Sequence, residues 1–186
     1  MQLVETPLKD CFILEPRIFN DDRGFFFESY NKNTFDKLLG KNIDFVQDNQ
    51  SHSVYGVLRG LHFQKGVHAQ AKLVRVLEGS VLDVAVDLRE DSPSFGKWYS
   101  VELTDKNFKQ FFIPRGFAHG FVVLSPTAIF SYKCDNFYNK ASEGGLLFND
   151  PSLNIDWNIK TEEAILSDKD QINPLFNQLD FKNLWN

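Results

Sequence analysis

The chain has 186 residues with 20 basic and 25 acidic side chains, a net charge of −5. That length suits one domain with a core large enough to fold without disulfide or metal staples. The acidic balance argues against a general nucleic-acid binder but leaves room for a local basic site for a small anion. No run of 18 apolar residues is present, and the N-terminal MQLVETPLKDCFILEPRIF lacks a basic region followed by an apolar run. The expectation is a soluble cytoplasmic protein with no membrane or nucleic-acid partner. Cys11 and Cys134 lack metal or redox spacing, which reads as two free thiols in a reducing compartment. The 19 Phe residues suit strands and stacking surfaces.

In chain order, short apolar or alternating runs predict strands over Cys11–Leu14, Gly24–Ser29, Phe45–Ser51, Val57–Gln64, Lys72–Leu77 and Val81–Leu88. Further runs cover Lys97–Leu103, Phe111–Ile113, Phe121–Leu124 and Ala128–Asp135. Turn signals separate them, among them Asp22-Arg23-Gly24, Glu78-Gly79 and Ser125-Pro126. About ten strands at roughly 8–12-residue spacing, with few helices, predict an antiparallel sandwich or barrel. A short helix is expected over Thr34–Leu39 after Asn33. Ser167-Asp168-Lys169-Asp170 has the form of a capping box opening a C-terminal helix.

The polar residues cluster in three places. In Arg59-Gly60-Leu61-His62-Phe63-Gln64, a regular strand would put Gly60, His62 and Gln64 on one face and Arg59 on the other. A bulge at Gly60 would bring Arg59 and His62 to the same cavity. Lys72 shares a strand face with Val74 and Val76, and Asp83 shares one with Val81 and Ala85. Charges on apolar faces need partners, so Lys72 and Asp83 either form a buried ion pair or point into a ligand cavity. In Pro114-Arg115-Gly116-Phe117-Ala118-His119-Gly120-Phe121, a turn feeds His119 into an apolar strand at a barrel mouth.

This third cluster resembles the second motif of the cupin superfamily. The first cupin motif carries two His one residue apart as metal ligands. Here His62 is followed by Gln64, so the ligand set is incomplete and no metal is expected. Several motifs stand in order over nearly the whole chain. They include Asp22-Arg23-Gly24-Phe25-Phe26-Phe27-Glu28, Gln47-Asp48-Asn49-Gln50-Ser51, Arg59–Gln64, Leu82–Arg89, Pro114–Phe121, Tyr132-Lys133-Cys134-Asp135 and Ser167–Asp170. Together they resemble the dTDP-4-dehydrorhamnose 3,5-epimerase family.

The resemblance implies an all-β, cupin-type antiparallel jelly-roll barrel with a few short peripheral helices. Residues 1–186 form one unit, with a core over about 45–135, N-terminal strands and a C-terminal helical segment. It also implies epimerisation at C3 and C5 of dTDP-4-dehydro-6-deoxy-D-glucose, a homodimer, and no cofactor. The C4 ketone acidifies the hydrogens on C3 and C5, so the chemistry needs a base, an acid on the opposite face and a cation for the enolate. By resemblance His62 is the base, Asp170 its carboxylate partner, Lys72 the group facing the enolate oxygen and Tyr132 the acid. Arg59 and His119 match phosphate-contacting positions. Tyr138 matches a residue stacked on thymine, and Arg23, Glu28, Gln47, Asn49, Glu143 and Lys169 match other substrate contacts. Phe25-Phe26-Phe27 adds a physical reason for a dimer, since Phe26 faces away from its two neighbours in an extended strand. Competing readings are a single-site epimerase, a binding module without turnover and a metal-dependent oxygenase. The presence of both Tyr132 and Tyr138 favours the double epimerase.

Overall fold

A computed structural model describes residues 1–185. The chain opens with β1 (Gln2–Glu5), β2 (Phe12–Glu15), β3 (Phe19–Asp21) and β4 (Gly24–Phe26), followed by helix α1 (Lys32–Leu39). The barrel strands are β5 (Gln47–Val54), β6 (Leu58–Gln64), β7 (Lys72–Glu78), β8 (Ser80–Asp87), β9 (Trp98–Thr104), β10 (Gln110–Ile113), β11 (Phe117–Val123) and β12 (Thr127–Cys134). A short β13 (Glu143–Gly145) and a four-residue helix α2 (Phe181–Leu184) complete the elements. Two antiparallel sheets form the expected cupin-type jelly roll. One runs β1-β2-β10-β7-β12-β5 and the other β13-β6-β11-β8-β9, while β3 and β4 make a separate hairpin. No helix among the described residues is long and apolar enough to cross a membrane.

Alternation along the strands decides where the core sits. Val74, Val76, Val81, Ala85, Phe111, Phe121 and Phe130 meet between the sheets. Leu82, Val84 and Val86 point the other way from β8 and are covered by Leu146, Phe148, Trp157 and Leu184 of the C-terminal segment. β8 is therefore buried on both faces, and its sequence runs almost unbroken in apolar residues. The outer face of the other sheet, with Leu14, Leu73 and Phe112, is covered by Phe35 of α1.

Helix α1 starts two residues before the expected Thr34. Its cap is Asn31, whose side chain accepts from the Thr34 N–H at 3.2 Å, and Gly40 ends it in the left-handed region. β11 begins at Phe117, four residues before the strand read from the apolar run. β4 stops at Phe26 rather than Ser29. The expected C-terminal helix is replaced by single 3₁₀ turns at Thr161–Glu163, Asp170–Ile172 and Phe176–Gln178. The reason is local. Ser167 Oγ accepts the Asp170 N–H at 3.3 Å, but the Asp170 carboxylate turns away to His62, and Pro174 stops any continuation.

Candidate active site

The site begins with a bulge. On β11, His119 pairs with His62 and Phe121 with Arg59, so a two-residue step on β11 faces a three-residue step on β6. The extra residue lies at Gly60-Leu61. Leu58, Leu61 and Phe63 consequently pack outward, while Arg59, His62 and Gln64 line the barrel interior. Gly60 suits the position because its φ is +131° and a Cβ there would sit 2.6 Å from Gly120 Cα.

Two joined lobes of about 240 and 530 Å³ share Asn49, His62 and Tyr132 as walls. The smaller lobe adds Gln47, Gln64, Gln70, Lys72, Tyr138 and Glu143. The larger adds Arg59, His119, Phe121 and Asp170. His62 stands on β6 of one sheet and Tyr132 on β12 of the other, so the imidazole and the phenol reach one cavity from opposite sheets.

His62 Nε2 lies 2.5 Å from Asp170 Oδ1. Asp170 is 3% exposed. Burial raises its pKa, but hydrogen bonds from His62, Ser167 and the Gly60 N–H outweigh that and hold the carboxyl below the usual range. The capping-box geometry is thus only half made, and the carboxylate serves the histidine. Tyr132 is half-buried, and desolvation raises its pKa, which keeps the phenol protonated. Lys72 Nζ lies 5.9 Å from the Tyr132 ring centroid. Burial lowers its pKa, with Cys134, Asp83 and Glu143 acting the other way.

The ion pair considered between Lys72 and Asp83 does not form. Asp83, fully buried, faces His119 instead, with Nε2 at 3.0 and 2.9 Å from its two oxygens. Burial pulls the His119 pKa down and pushes that of Asp83 up, while their contact opposes both. Lys72 has no ion pair among the described residues, and its ammonium belongs to the cavity.

Around the mouth, Arg59 Nε donates to Ser53 Oγ at 3.1 Å. Gln47 Nε2 donates to Asn49 Oδ1 at 3.0 Å, and Gln47 Oε1 accepts the Tyr138 N–H at 3.0 Å. The Tyr138 hydroxyl donates to Glu143 Oε2 at 3.3 Å, and Glu143 Oε1 pairs with Lys169. Lys169 reaches the cavity only through Glu143, and two predicted site residues are not brought to it within this chain. Arg23 sits at the tip of the β3–β4 hairpin, ion-paired with Asp21, and Glu28 follows the hairpin and accepts from Asn31 Nδ2 at 3.0 Å. Sequence reasoning missed Ser53, which steadies Arg59, Ser167, which supports Asp170, and Gln70. The alternation Ser51-Ser53 on a strand bordering the cavity is a signal for the first. The capping-box spacing is a signal for Ser167, and nothing local marks Gln70.

Among the described residues no three His, Cys, Asp or Glu side chains converge as a metal site. The sequence matches the family described as dTDP-4-dehydrorhamnose 3,5-epimerase over residues 5–178. It is 52% identical over 178 residues to the dTDP-4-dehydrorhamnose 3,5-epimerase of Salmonella typhimurium, covering 96% of this chain and 97% of that one. The crystal structure of dTDP-4-dehydrorhamnose 3,5-epimerase from Elizabethkingia anophelis NUHP1 is 64% identical with a TM-score of 0.93, covering 98% of each chain. The dTDP-6-deoxy-D-glucose-3,5-epimerase of Legionella pneumophila, crystallised with dTDP-4-keto-L-rhamnose, is 48% identical with a TM-score of 0.94. It covers 100% of this chain and 97% of that one. An imidazole and a phenol lining one cavity inside a jelly roll, together with these likenesses, place the chain in the dTDP-4-dehydrorhamnose 3,5-epimerase family.

Proposed function

We propose that the chain epimerises dTDP-4-dehydro-6-deoxy-D-glucose at C3 and C5, giving dTDP-4-dehydro-L-rhamnose. The observation that carries this reading is the placement of His62, backed by buried Asp170, across one cavity from Tyr132. His62 Nε2 is held by Asp170 in the present geometry, so the base acts as a dyad. The ring takes a proton from C3 or C5, and the carboxylate stabilises the imidazolium that results. The electron pair moves into the C4 carbonyl, and the enolate oxygen draws on the Lys72 ammonium. The Tyr132 hydroxyl returns a proton to the opposite face of C5. Its raised pKa supports this role, because the phenol stays protonated until an enolate demands the proton.

Arg59 and His119, in the larger lobe, contact the diphosphate in this reading. Tyr138, Gln47, Asn49, Glu143 and Lys169 surround the nucleotide and sugar. No metal is required. The position of the second cupin histidine is Gln64, whose Oε1 is committed to the Asn139 N–H at 3.0 Å. Residues 1–186 act as one catalytic unit, and the buried free thiols Cys11 and Cys134 support a cytoplasmic location.

The chain works as a homodimer. Phe25 and Phe27 gather on Phe108, with ring centroids 4.8 and 5.1 Å away, and Phe26 turns outward at 69% exposure. An exposed aromatic hairpin that also carries Arg23 and precedes Glu28 suits docking against a second copy, whose cavity those residues would complete. The test is NMR of purified protein with the sugar nucleotide in deuterated water. Deuterium entering at both C3 and C5 with inversion supports the reading, and entry at one carbon alone favours a single-site epimerase.

A further inference from the structure

Gln64 follows His62 by two residues on the inner face of β6 and is 6% exposed. Its Oε1 accepts the backbone N–H of Asn139 at 3.0 Å. A backbone N–H needs an oxygen acceptor, so this contact fixes which end of the carboxamide is which. Nε2 then points away from the loop, in the wall of the lobe that holds Lys72 and Tyr132. Nε2 makes no hydrogen bond among the described residues. Nε2 is not sealed off from solvent, so a nearly buried side chain presents a donor without a protein acceptor at the open face of a polar cavity, where an oxygen of the ligand can take it.

The loop on the other end of that amide is the one that carries Tyr138. Two more glutamines tie it to the barrel. Gln47 Oε1 takes the Tyr138 N–H at 3.0 Å, and Gln70 Nε2 donates to the Asn136 carbonyl at 2.8 Å. Three glutamine side chains therefore help hold the segment that crosses from β12 of one sheet to β13 of the other. Of the three, only Gln64 stands next to the base.

We propose that Gln64 is a positioning residue with two ends: Oε1 fixes the Tyr138 loop, and Nε2 donates to a carbohydrate oxygen of the bound sugar. This rests on the reading of the cavity as a dTDP-sugar site. The planar amide couples the two halves of the ligand. A sugar oxygen that holds Nε2 also holds Oε1 toward the loop, and the ordered loop presents Tyr138 to the nucleotide.

The test compares Gln64→Met, which keeps volume but neither polar end, with Gln64→Glu, which keeps an acceptor for the loop and loses the donor. Amide hydrogen exchange over residues 136–142 is read in the ligand-free proteins. Gln64→Met should exchange about tenfold faster there and bind thymidine diphosphate about tenfold more weakly. Gln64→Glu should return loop exchange to near the parent's while KM for the sugar nucleotide stays raised. Parent-like loop exchange in Gln64→Met overturns the first end, and parent-like KM in Gln64→Glu overturns the second. A measurement on the parent needs no variant. The Gln64 side-chain amide resonance should shift with dTDP-L-rhamnose and not with thymidine diphosphate, and equal shifts refute the donor. Loop exchange is read without substrate, so a failure of the epimerase reading appears separately, as absent deuterium uptake by the parent.

Discussion

His62 Nε2 and Asp170 Oδ1 lie 2.5 Å apart although 108 positions separate them in the chain. The base comes from a barrel strand and its partner from a 3₁₀ turn of the segment that covers the sheet. Asp170→Asn should therefore lower kcat/KM by about 10²–10⁴-fold, since the ring loses the charge that supports its protonated form. The carboxyl is held below its ordinary value. Its contribution to stability is present above the unfolded-state value near about 3.9 and is lost as pH falls through the folded-state value. Thermal melts should show parent and variant separated at neutral pH and converging below about pH 4.

Tyr132→Phe keeps the ring against Phe130 and removes only the hydroxyl. Abstraction by His62 remains possible, so NMR in deuterated water should show exchange at one or both carbons with inversion at C5 reduced by about 10²–10⁴-fold. His62→Ala should exchange neither. Inversion at the parent rate in Tyr132→Phe would remove the phenol from the mechanism.

Asp83→Ala should be costly to the fold. It strips the partner from His119 in a site where both are buried, and leaving a buried neutral donor unsatisfied costs about 1–3 kcal/mol. Urea denaturation measures it. A loss no larger than that of an exposed pair would mean the imidazole finds another acceptor.

Gly60→Ala tests the bulge. The new methyl would meet Gly120 Cα at a φ that L-residues rarely adopt, and a cost of about 1–3 kcal/mol is expected. Activity should fall further than stability predicts, because Arg59, His62 and the Gly60 N–H to Asp170 all depend on that backbone. Unchanged kcat/KM in a destabilised variant would separate the bulge from catalysis.

Phe26→Ser should shift the protein toward monomer in analytical ultracentrifugation and reduce turnover with it. Phe26 stacks on no aromatic ring among the described residues and is exposed, so the folded monomer should keep its melting temperature. A variant that stays dimeric would place the interface elsewhere.

The strands from β5 to β12 were legible because apolar alternation and turn residues repeat along them. The bulge was legible too, through a glycine beside an arginine that otherwise faces the wrong way. What the sequence hid are contacts decided by register between strands. Lys72 and Asp83 both face inward, as the alternation on their strands predicts. Yet Asp83 pairs with Phe121 across β8 and β11, which puts His119 diagonally beside it, and alternation within one strand cannot show that. β13 was invisible because Glu-Gly-Gly carries no apolar pattern. Ser167 and Asp170 have the spacing of a cap and so predict a C-terminal helix, but a histidine far away in sequence claims the carboxylate.

The covering of β6, β8 and β11 by residues from Leu146 to Leu184 has a consequence for synthesis. The ribosome makes all eight barrel strands before it makes this segment. For that interval the outward Leu58, Leu61, Phe63, Leu82 and Val84 have nothing over them, and the nascent barrel is exposed to aggregation. His62 also waits for Asp170, which arrives in the same stretch of chain. Translation stalled before residue 146 should therefore yield a product that is both sticky and inert, and completion should cure the two defects together.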